Sequence, residues 1–184
     1  MDYYSQKLFL AKVDKENNFV GKVERWLAHE KAILHRGFTV ILTFQNKVVL
    51  QHRKHPAFDG FFDLSFSSHP VYIQNELQPM ETAILNTLER EWNLSKQNLQ
   101  TELRFLDKFY YYAKDPKSVY IEHEIDYVYE AKLNKLPAIN HDFAYGYETI
   151  DVLNIASQIS KFQLAPWVKK ILTNKVIRQH LEAV

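Results

Sequence analysis

The sequence lacks three features, each of which would define a class of protein. It contains no cysteine, which excludes disulfide bonds, thiolate metal sites and a cysteine nucleophile and suits a reducing compartment. It has no apolar run that approaches the roughly 20 residues of a membrane-spanning helix. Its first residues also lack the basic and then apolar order of a signal peptide. We therefore expect a soluble, cytoplasmic protein.

Glycine and proline are scarce, and charge of one sign does not dominate. The chain has four glycines and six prolines and a formal net charge of +1 at pH 7. No repeat or linker-like stretch marks a boundary, so we expect one domain over residues 1–184. The charge gives no global field that would attract nucleic acid or an anionic membrane. Any anion-binding site must therefore be local.

Short apolar and β-branched runs predict strands in two parts of the chain. Leu8–Val13 and Phe38–Phe44 have this composition, and Val48–Leu50 follows across a polar break, as a hairpin requires. Tyr110–Tyr112 and Val119–Ala131 return to aromatic and β-branched residues. The first half is therefore predicted to be mostly β, with further strands later in the chain.

Helices are predicted in the middle of the chain and near its C-terminal end. Between Glu81 and Leu94 the apolar residues recur at helical spacing, which predicts an amphipathic helix. Pro166 suits the first turn of a closing helix. The apolar stripe of that helix comprises Val168, Ile171, Leu172, Val176 and Ile177. Strands combined with helices predict an α/β sandwich.

One strand carries two carboxylates that point to the same side. Glu122 and Glu124 are two residues apart, so they share a face about 7 Å apart along the strand. They indicate a bound cation, a protonated acid or a solvent-facing acidic strip. His29, His35 and His69 could complete a metal site. Such a shell suits manganese, iron, zinc or, less well, magnesium. Spacing alone does not show that these residues meet.

Seven sequence blocks occur in a characteristic order over nearly the whole chain. They are Val13–Asp14, Ala28–Ala32, Leu34–Phe38, Val49–Arg53, Gly60–Pro70, Glu122–Tyr127 and Ala165–Trp167. Each block alone is unspecific, but the ordered set resembles the metal-requiring (type I) isopentenyl diphosphate isomerases. The resemblance implies a Nudix-like fold, with a mixed sheet sandwiched between helices, and a prenyl diphosphate substrate.

The resemblance also assigns the ligands of the site. It implies a metal shell of His29, His35, His69, Glu122 and Glu124. Glu91 would serve a second divalent ion, magnesium, associated with the diphosphate. We expect Mg²⁺ and Mn²⁺ first, with Zn²⁺ or Fe²⁺ as alternatives. Diphosphate-contacting cations would be Arg25, Arg53 and Lys54.

The predicted helix departs from the Nudix pattern and from the isomerase pattern. The resemblance places a family arginine at the position of Thr87, so one expected anion contact is missing. Most Nudix-box carboxylates are absent, with Asn86 and Thr87 in place of an Arg-Glu pair and Arg90 in place of a glutamate. A standard Nudix hydrolase is therefore disfavoured.

The family reaction protonates an alkene and removes a proton from the opposite side of the resulting cation. The resemblance implies that Glu124 is the proton donor, with Tyr111 beside it, and that Trp167 shields the cation; Trp167 could equally be a core anchor. The opposite group is a cysteine in the family and Ser67 here, and a serine needs an adjacent base. A slow isomerase, an isomerase or cyclase of a longer prenyl diphosphate, and a diphosphate-binding module without turnover remain open.

Overall fold

The computed structural model describes residues 2–182, which form a mixed sheet with helices. The strands are β1 Phe9–Val13, β2 Phe19–Glu24, β3 His35–Phe44, β4 Lys47–Arg53, β5 Phe62–Leu64, β6 Phe66–Ser68, β7 Tyr72–Ile73, β8 Glu76–Leu77, β9 Arg104–Lys114, β10 Ile121–Lys132 and β11 Ala144–Asp151. The α-helices are α1 Arg25–Glu30, α2 Met80–Trp92, α3 Ile155–Gln158, α4 Pro166–Thr173 and α5 Lys175–Glu182. Within this described range, no helix is long and apolar enough to cross a membrane.

Strand β3 lies at the centre of the main sheet, which has nine strands within residues 2–182. It pairs antiparallel with β1, β4 and β6 and parallel with β10, which in turn pairs antiparallel with β9. Strands β5 and β11 extend the sheet beyond β4. Because β10 and β6 both border β3, residues from distant parts of the sequence meet along one strand.

Apolar side chains cover both faces of this sheet, as the alternation of strand residues requires. The adjacent residues Ile41 and Leu42 are both fully buried but belong to separate core clusters. Ile41 shares its cluster with Ile171 of α4, whereas Leu42 packs in the cluster that contains Leu88 of α2. The predicted α/β fold, with a mixed sheet between helices, is therefore confirmed.

The predicted central helix is confirmed with slightly different ends. It runs over α2 and stops where Asn93 adopts a left-handed conformation with φ 51°, a conformation that asparagine tolerates at helix ends. The predicted hairpin is also present, because Phe44 pairs with Lys47 across Gln45 and Asn46.

The prediction of one closing helix was wrong, because the chain forms α4 and α5 with a break at Asn174. The Asn174 Oδ1 accepts a hydrogen bond from the backbone N–H of Val176 at 3.0 Å, which starts a new helix. Val176, assigned to the apolar stripe, is 72% exposed. The helical spacing of the apolar residues continues across Asn174, although the Asn174 side chain caps a new helix.

Candidate active site

Five side chains from four parts of the fold meet at one point. Each contributes one nitrogen or oxygen atom, and these five atoms all lie within 4.8 Å of one another. The residues are His29 of α1, His35 at the start of β3, His69 after β6, and Glu122 and Glu124 of β10. The parallel pairing of β10 with β3 places Glu124 beside His35. The sheet register thus brings together the ligand set that the resemblance implies.

The imidazole nitrogens of this cluster face its carboxylates directly. The Nε2 atom of His29 lies 3.3 Å from Glu122 Oε2. The Nε2 atoms of His35 and His69 lie 3.2 Å and 2.6 Å from the same Glu124 oxygen, Oε1. His69 is half-buried, and the other four side chains of the cluster are buried.

Backbone contacts fix which ring nitrogens face the cluster. The Nδ1 atoms of His29 and His35 each lie 2.7 Å from a backbone carbonyl oxygen, of Arg25 and Ile33 respectively. Each Nδ1 therefore donates a hydrogen bond to a carbonyl oxygen, which directs Nε2 at the other members of the cluster. Burial lowers the pKa of His69 to about 4, so the His69 imidazole is neutral near pH 7. Burial also opposes the charged form of His29, but the Glu122 carboxylate outweighs it and raises the pKa of His29 above its usual value.

The donor set fits a divalent metal ion. Neutral imidazole nitrogens and carboxylate oxygens are established ligands of first-row divalent metals, and the carbonyl partners orient the rings as in metal sites. Two buried carboxylates whose ligand atoms lie within 4.8 Å of each other are costly to bury without a cation that both can contact. The residues thus support a divalent-metal site without identifying the metal.

Tyr111 lies against the cluster from β9, directly across from Glu124 in the antiparallel pair. Its hydroxyl donates a hydrogen bond of 2.7 Å to Glu124 Oε2. Burial, and then the Glu124 charge, raise the pKa of Tyr111 well above its usual value, so the phenol keeps its proton. The Tyr111 and Glu124 pair therefore holds a proton at the edge of the cluster.

Gly37 of β3 allows Glu124 its position. A Cβ atom built on Gly37 would overlap the Glu124 carboxylate, whereas one built on Gly146 would meet no atom within 4 Å. The carboxylate fills the space that a side chain at position 37 would need. Gly37 is therefore required by close approach and not by an unusual backbone conformation.

Ser67 lines the same cavity and belongs to a network of polar groups. Its hydroxyl lies 3.0 Å from Asp63 Oδ1, to which it donates, and 2.9 Å from the Thr39 hydroxyl. The indole N–H of Trp167 lies 2.8 Å from Asp63 Oδ1 and 3.0 Å from the Ser67 oxygen. Ser67 thus has a carboxylate within hydrogen-bonding reach.

Asp63 is a site residue that the sequence reasoning missed. It is fully buried and forms an ion pair with Arg53, with 2.5 Å between Nη1 and Oδ2. Burial raises the pKa of Asp63 above its usual value, although the Arg53 charge opposes this. Its signal in the sequence was a single charged residue inside the apolar run from Phe61 to Phe66.

Two of the predicted diphosphate-binding residues, Arg25 and Arg53, line the cavity. Arg25 Nη2 donates to the carbonyl oxygens of Tyr3 and Tyr4, each at 3.1 Å. Among residues 2–182, the Nε atoms of Arg25, Arg53 and Arg90 are buried without a hydrogen-bond partner, and all three arginines line this cavity. Buried donors without partners are rare, so three of them around one cavity are unusual.

The remaining predicted residues take different positions. Glu91 is buried on α2, lines the cavity and accepts hydrogen bonds from Gln51 at 3.2 Å and Arg90 at 3.0 Å. Trp167 lines the cavity from α4. Lys54 is exposed outside it, and its Nζ donates to the His141 carbonyl oxygen at 2.9 Å.

The N-terminal segment covers the cavity. Tyr3 lines it, and the Tyr3 ring lies 3.9 Å from the Arg90 guanidinium carbon. The cavity volume available to a water-sized sphere is about 20 Å³, close to the roughly 10–15 Å³ that one water molecule needs. Arg90 and Tyr3 also line the two adjoining pockets.

Comparison with solved structures defines the class of fold. A crystal structure of DR0079 from Deinococcus radiodurans has a TM-score of 0.62 at 20% identity and covers 85% of this chain and 91% of its own. A MutT Nudix hydrolase from Burkholderia pseudomallei has a TM-score of 0.52 at 18% identity, with coverages of 82% and 98%. The chain therefore has the Nudix fold.

Within that fold, the sequence relatives are isopentenyl-diphosphate Delta-isomerases. The enzyme of Photorhabdus laumondii is 29% identical over 89% of both chains. The Mesocricetus auratus enzyme is 29% identical over 87% of this chain and 78% of its own, and a human enzyme is 26% identical over 94% and 85%. No protein-family model matches. These relatives confirm the predicted resemblance and the expectation of an isomerase-like enzyme.

Proposed function

We propose that this protein is a metal-dependent acid–base enzyme that converts isopentenyl diphosphate to dimethylallyl diphosphate. The observation that carries the proposal is the arrangement of one cavity, lined by the histidine–glutamate cluster, the Tyr111–Glu124 pair and Ser67 with its carboxylate partner. The isomerase relatives support the same reaction class.

His29, His35, His69, Glu122 and Glu124 would hold a divalent ion, with Mg²⁺ and Mn²⁺ the first candidates. Bound there, such an ion would withdraw charge from the Glu124 carboxylate and fix its orientation. The sequence relation to the isomerases and the donor set both support metal dependence.

Glu124 would supply the proton. In its protonated form, with the Tyr111 hydroxyl 2.7 Å from Oε2, it would transfer that proton to the terminal alkene carbon and leave a Glu124 carboxylate and a tertiary cation. A positioned acid of this kind contributes about 10²–10⁴-fold to a rate. Trp167, beside the Tyr111 ring with 5.8 Å between centroids, would shield the cation from water and stabilise it through its ring face.

Ser67 and Asp63 would remove the second proton. The Ser67 oxygen accepts a proton from the carbon next to the cation, while the Ser67 hydroxyl proton passes to Asp63 Oδ1 across 3.0 Å. The carbon–hydrogen electron pair forms the new double bond, and Asp63 ends protonated. A carboxylate in this position supplies the base that a serine lacks by itself.

The diphosphate would lie against Arg25, Arg53 and Glu91, the last through a second Mg²⁺ ion. The buried Nε atoms of Arg25 and Arg53 support this placement, because guanidinium groups bind phosphate oxygens through several donors. A role for Lys54, which lies outside the cavity, stays a prediction. So do the single domain over residues 1–184, the cytoplasmic location, and the absence of nucleic-acid and membrane partners.

A second candidate is a protonation-initiated isomerase or cyclase of a longer prenyl diphosphate. The exchange of cysteine for Ser67 favours it, because a reaction that ends its cation differently does not need the thiol. A binding module without turnover is less well supported, since the acid pair is retained.

A product assay separates these functions. The purified protein is incubated in deuterated water with five-, ten- and fifteen-carbon prenyl diphosphates and Mg²⁺ or Mn²⁺, and products are identified by mass spectrometry and NMR. Deuterated dimethylallyl diphosphate is expected. Turnover restricted to a longer substrate would favour the second candidate, prenyl monophosphate or inorganic phosphate would indicate hydrolysis, and binding without turnover would indicate the module.

A further inference from the structure

The cation that the isomerase pattern places at residue 87 has a substitute one turn further along α2. We infer that Arg90 contacts the substrate diphosphate and replaces the arginine missing at Thr87. The inference rests on the proposed function. Arg90 Nη2 lies 3.1 Å from the Thr87 hydroxyl oxygen, so the guanidinium occupies the space beside the short side chain.

The contacts of Arg90, which include an ion pair with Glu91, hold its guanidinium at the cavity wall. Thr87 is buried, and its hydroxyl donates to the Ala83 carbonyl oxygen, so its oxygen accepts from Arg90. The same Nη2 atom donates to Ser68 at 3.3 Å and to Glu91 at 3.0 Å. These three acceptors come from α2 and from β6, which holds Ser67. They position the guanidinium between α2 and β6.

The remaining donor capacity of Arg90 suits an anion. Its Nε atom is buried and has no partner in the part of the chain that the structure describes, as is true of Arg25 and Arg53. The Tyr3 ring covers the guanidinium and limits its exposure to water; the Arg90 side chain is 19% exposed. A partly desolvated guanidinium binds phosphate oxygens more strongly than an exposed one.

The substitution also reverses charge at a Nudix-box position. A glutamate at residue 90 would add negative charge beside Glu91 and repel a diphosphate. An arginine there instead adds positive charge to the wall that Arg25 and Arg53 already form. Arg90 is thus the one cation of α2 (Met80–Trp92), and it lies on the side of the helix that faces the cavity.

Binding of inorganic pyrophosphate with Mg²⁺, measured by titration calorimetry, tests this inference without turnover. Arg90→Met keeps a long side chain that can pack on Tyr3 but removes the charge, and it should weaken binding about 10- to 100-fold. Arg90→Lys should retain much of the affinity. Arg104→Gln, on the exposed start of β9, is the matched control and should bind like the unmodified protein.

A variant that exchanges the residues at positions 87 and 90 distinguishes loss of the cation from general destabilisation. The variant with Thr87→Arg and Arg90→Thr moves the cation to the family position and should recover most of the affinity lost in Arg90→Met. Equal binding by Arg90→Met and the unmodified protein would overturn the role of Arg90 alone. If the unmodified protein with Mg²⁺ binds no pyrophosphate, the proposed diphosphate function fails instead.

Discussion

The two sides of the cavity are built differently. On one side, Glu124 and its histidine partners are fixed by the parallel register of β3 and β10. On the other side, Ser67 is held by hydroxyl, indole and carboxylate groups from separate elements. The first side keeps every residue type that the isomerase pattern implies, whereas the second has exchanged a thiol for a hydroxyl. In the proposed function, the first is the acid side, which matches the isomerase pattern, and the second is the base side, which departs from it.

The acid side should show the largest effect. Glu124→Gln removes both a metal-ligating carboxylate and the partner of Tyr111, so isomerisation should fall by about 10⁴-fold. Bound metal, measured by elemental analysis, should fall with it. Glu148→Gln, an exposed position on β11, should change neither quantity. Full activity in Glu124→Gln would show that the Glu124 carboxylate does not donate the proton.

Gly37→Ala tests how closely the acid side is packed. The added methyl group overlaps the Glu124 carboxylate, so Glu124 must move away from His35 and His69. Metal affinity should fall about 10- to 100-fold, as when the support of a ligand is lost. Gly146→Ala adds the same methyl group in open space. The two variants should therefore differ sharply in a metal titration, and similar affinities would contradict the packing argument.

Trp167→Phe, which alters the base side, should reduce the rate less than the two changes on the acid side. It removes the indole N–H that bonds to Asp63 and Ser67, and the rate should fall about 3- to 10-fold. Burial raises the pKa of Asp63 and the Trp167 bond lowers it. Losing that bond therefore raises this pKa further. Because Asp63 must be ionised to accept a proton, the acid limb of the pH–rate profile should move to higher pH.

Trp92→Phe is the matched control for that change. Trp92 is a fully buried indole of α2 whose N–H donates to the Ser65 carbonyl oxygen at 3.1 Å. Its loss should lower stability without moving the pH–rate profile. An equal movement of the profile in both variants would show that general destabilisation, and not the Asp63 contact, is responsible.

Local periodicity made the acid side predictable. Glu122 and Glu124 share a face because strand side chains alternate, and the family pattern supplied the histidines. The same reasoning failed at Asn174, where helical spacing continues through a residue that caps a new helix.

The base side could not be predicted, because its contacts are distant in sequence. Trp167 and Asp63 are 104 residues apart, and no local pattern indicates that they meet. Arg90 posed a related problem. The sequence showed an arginine in place of a Nudix-box glutamate. It did not show where the guanidinium lies, because that depends on contacts with Thr87, Ser68 and Tyr3.

A double-mutant cycle between Asp63 and Ser67 tests the rebuilt base side most directly. A free cysteine thiol has a pKa near 8.5 and is a far stronger acid than a serine hydroxyl, so Ser67→Cys should need less help from a neighbouring carboxylate. Isomerisation of isopentenyl diphosphate is measured with Mg²⁺ and Mn²⁺ for the unmodified protein, Asp63→Asn, Ser67→Cys and the double variant. Asp63→Asn should lower the rate about 10²-fold when residue 67 is serine, and far less when it is cysteine. An equal loss in both backgrounds would contradict the account, because Asp63 would then support the fold and not the proton transfer.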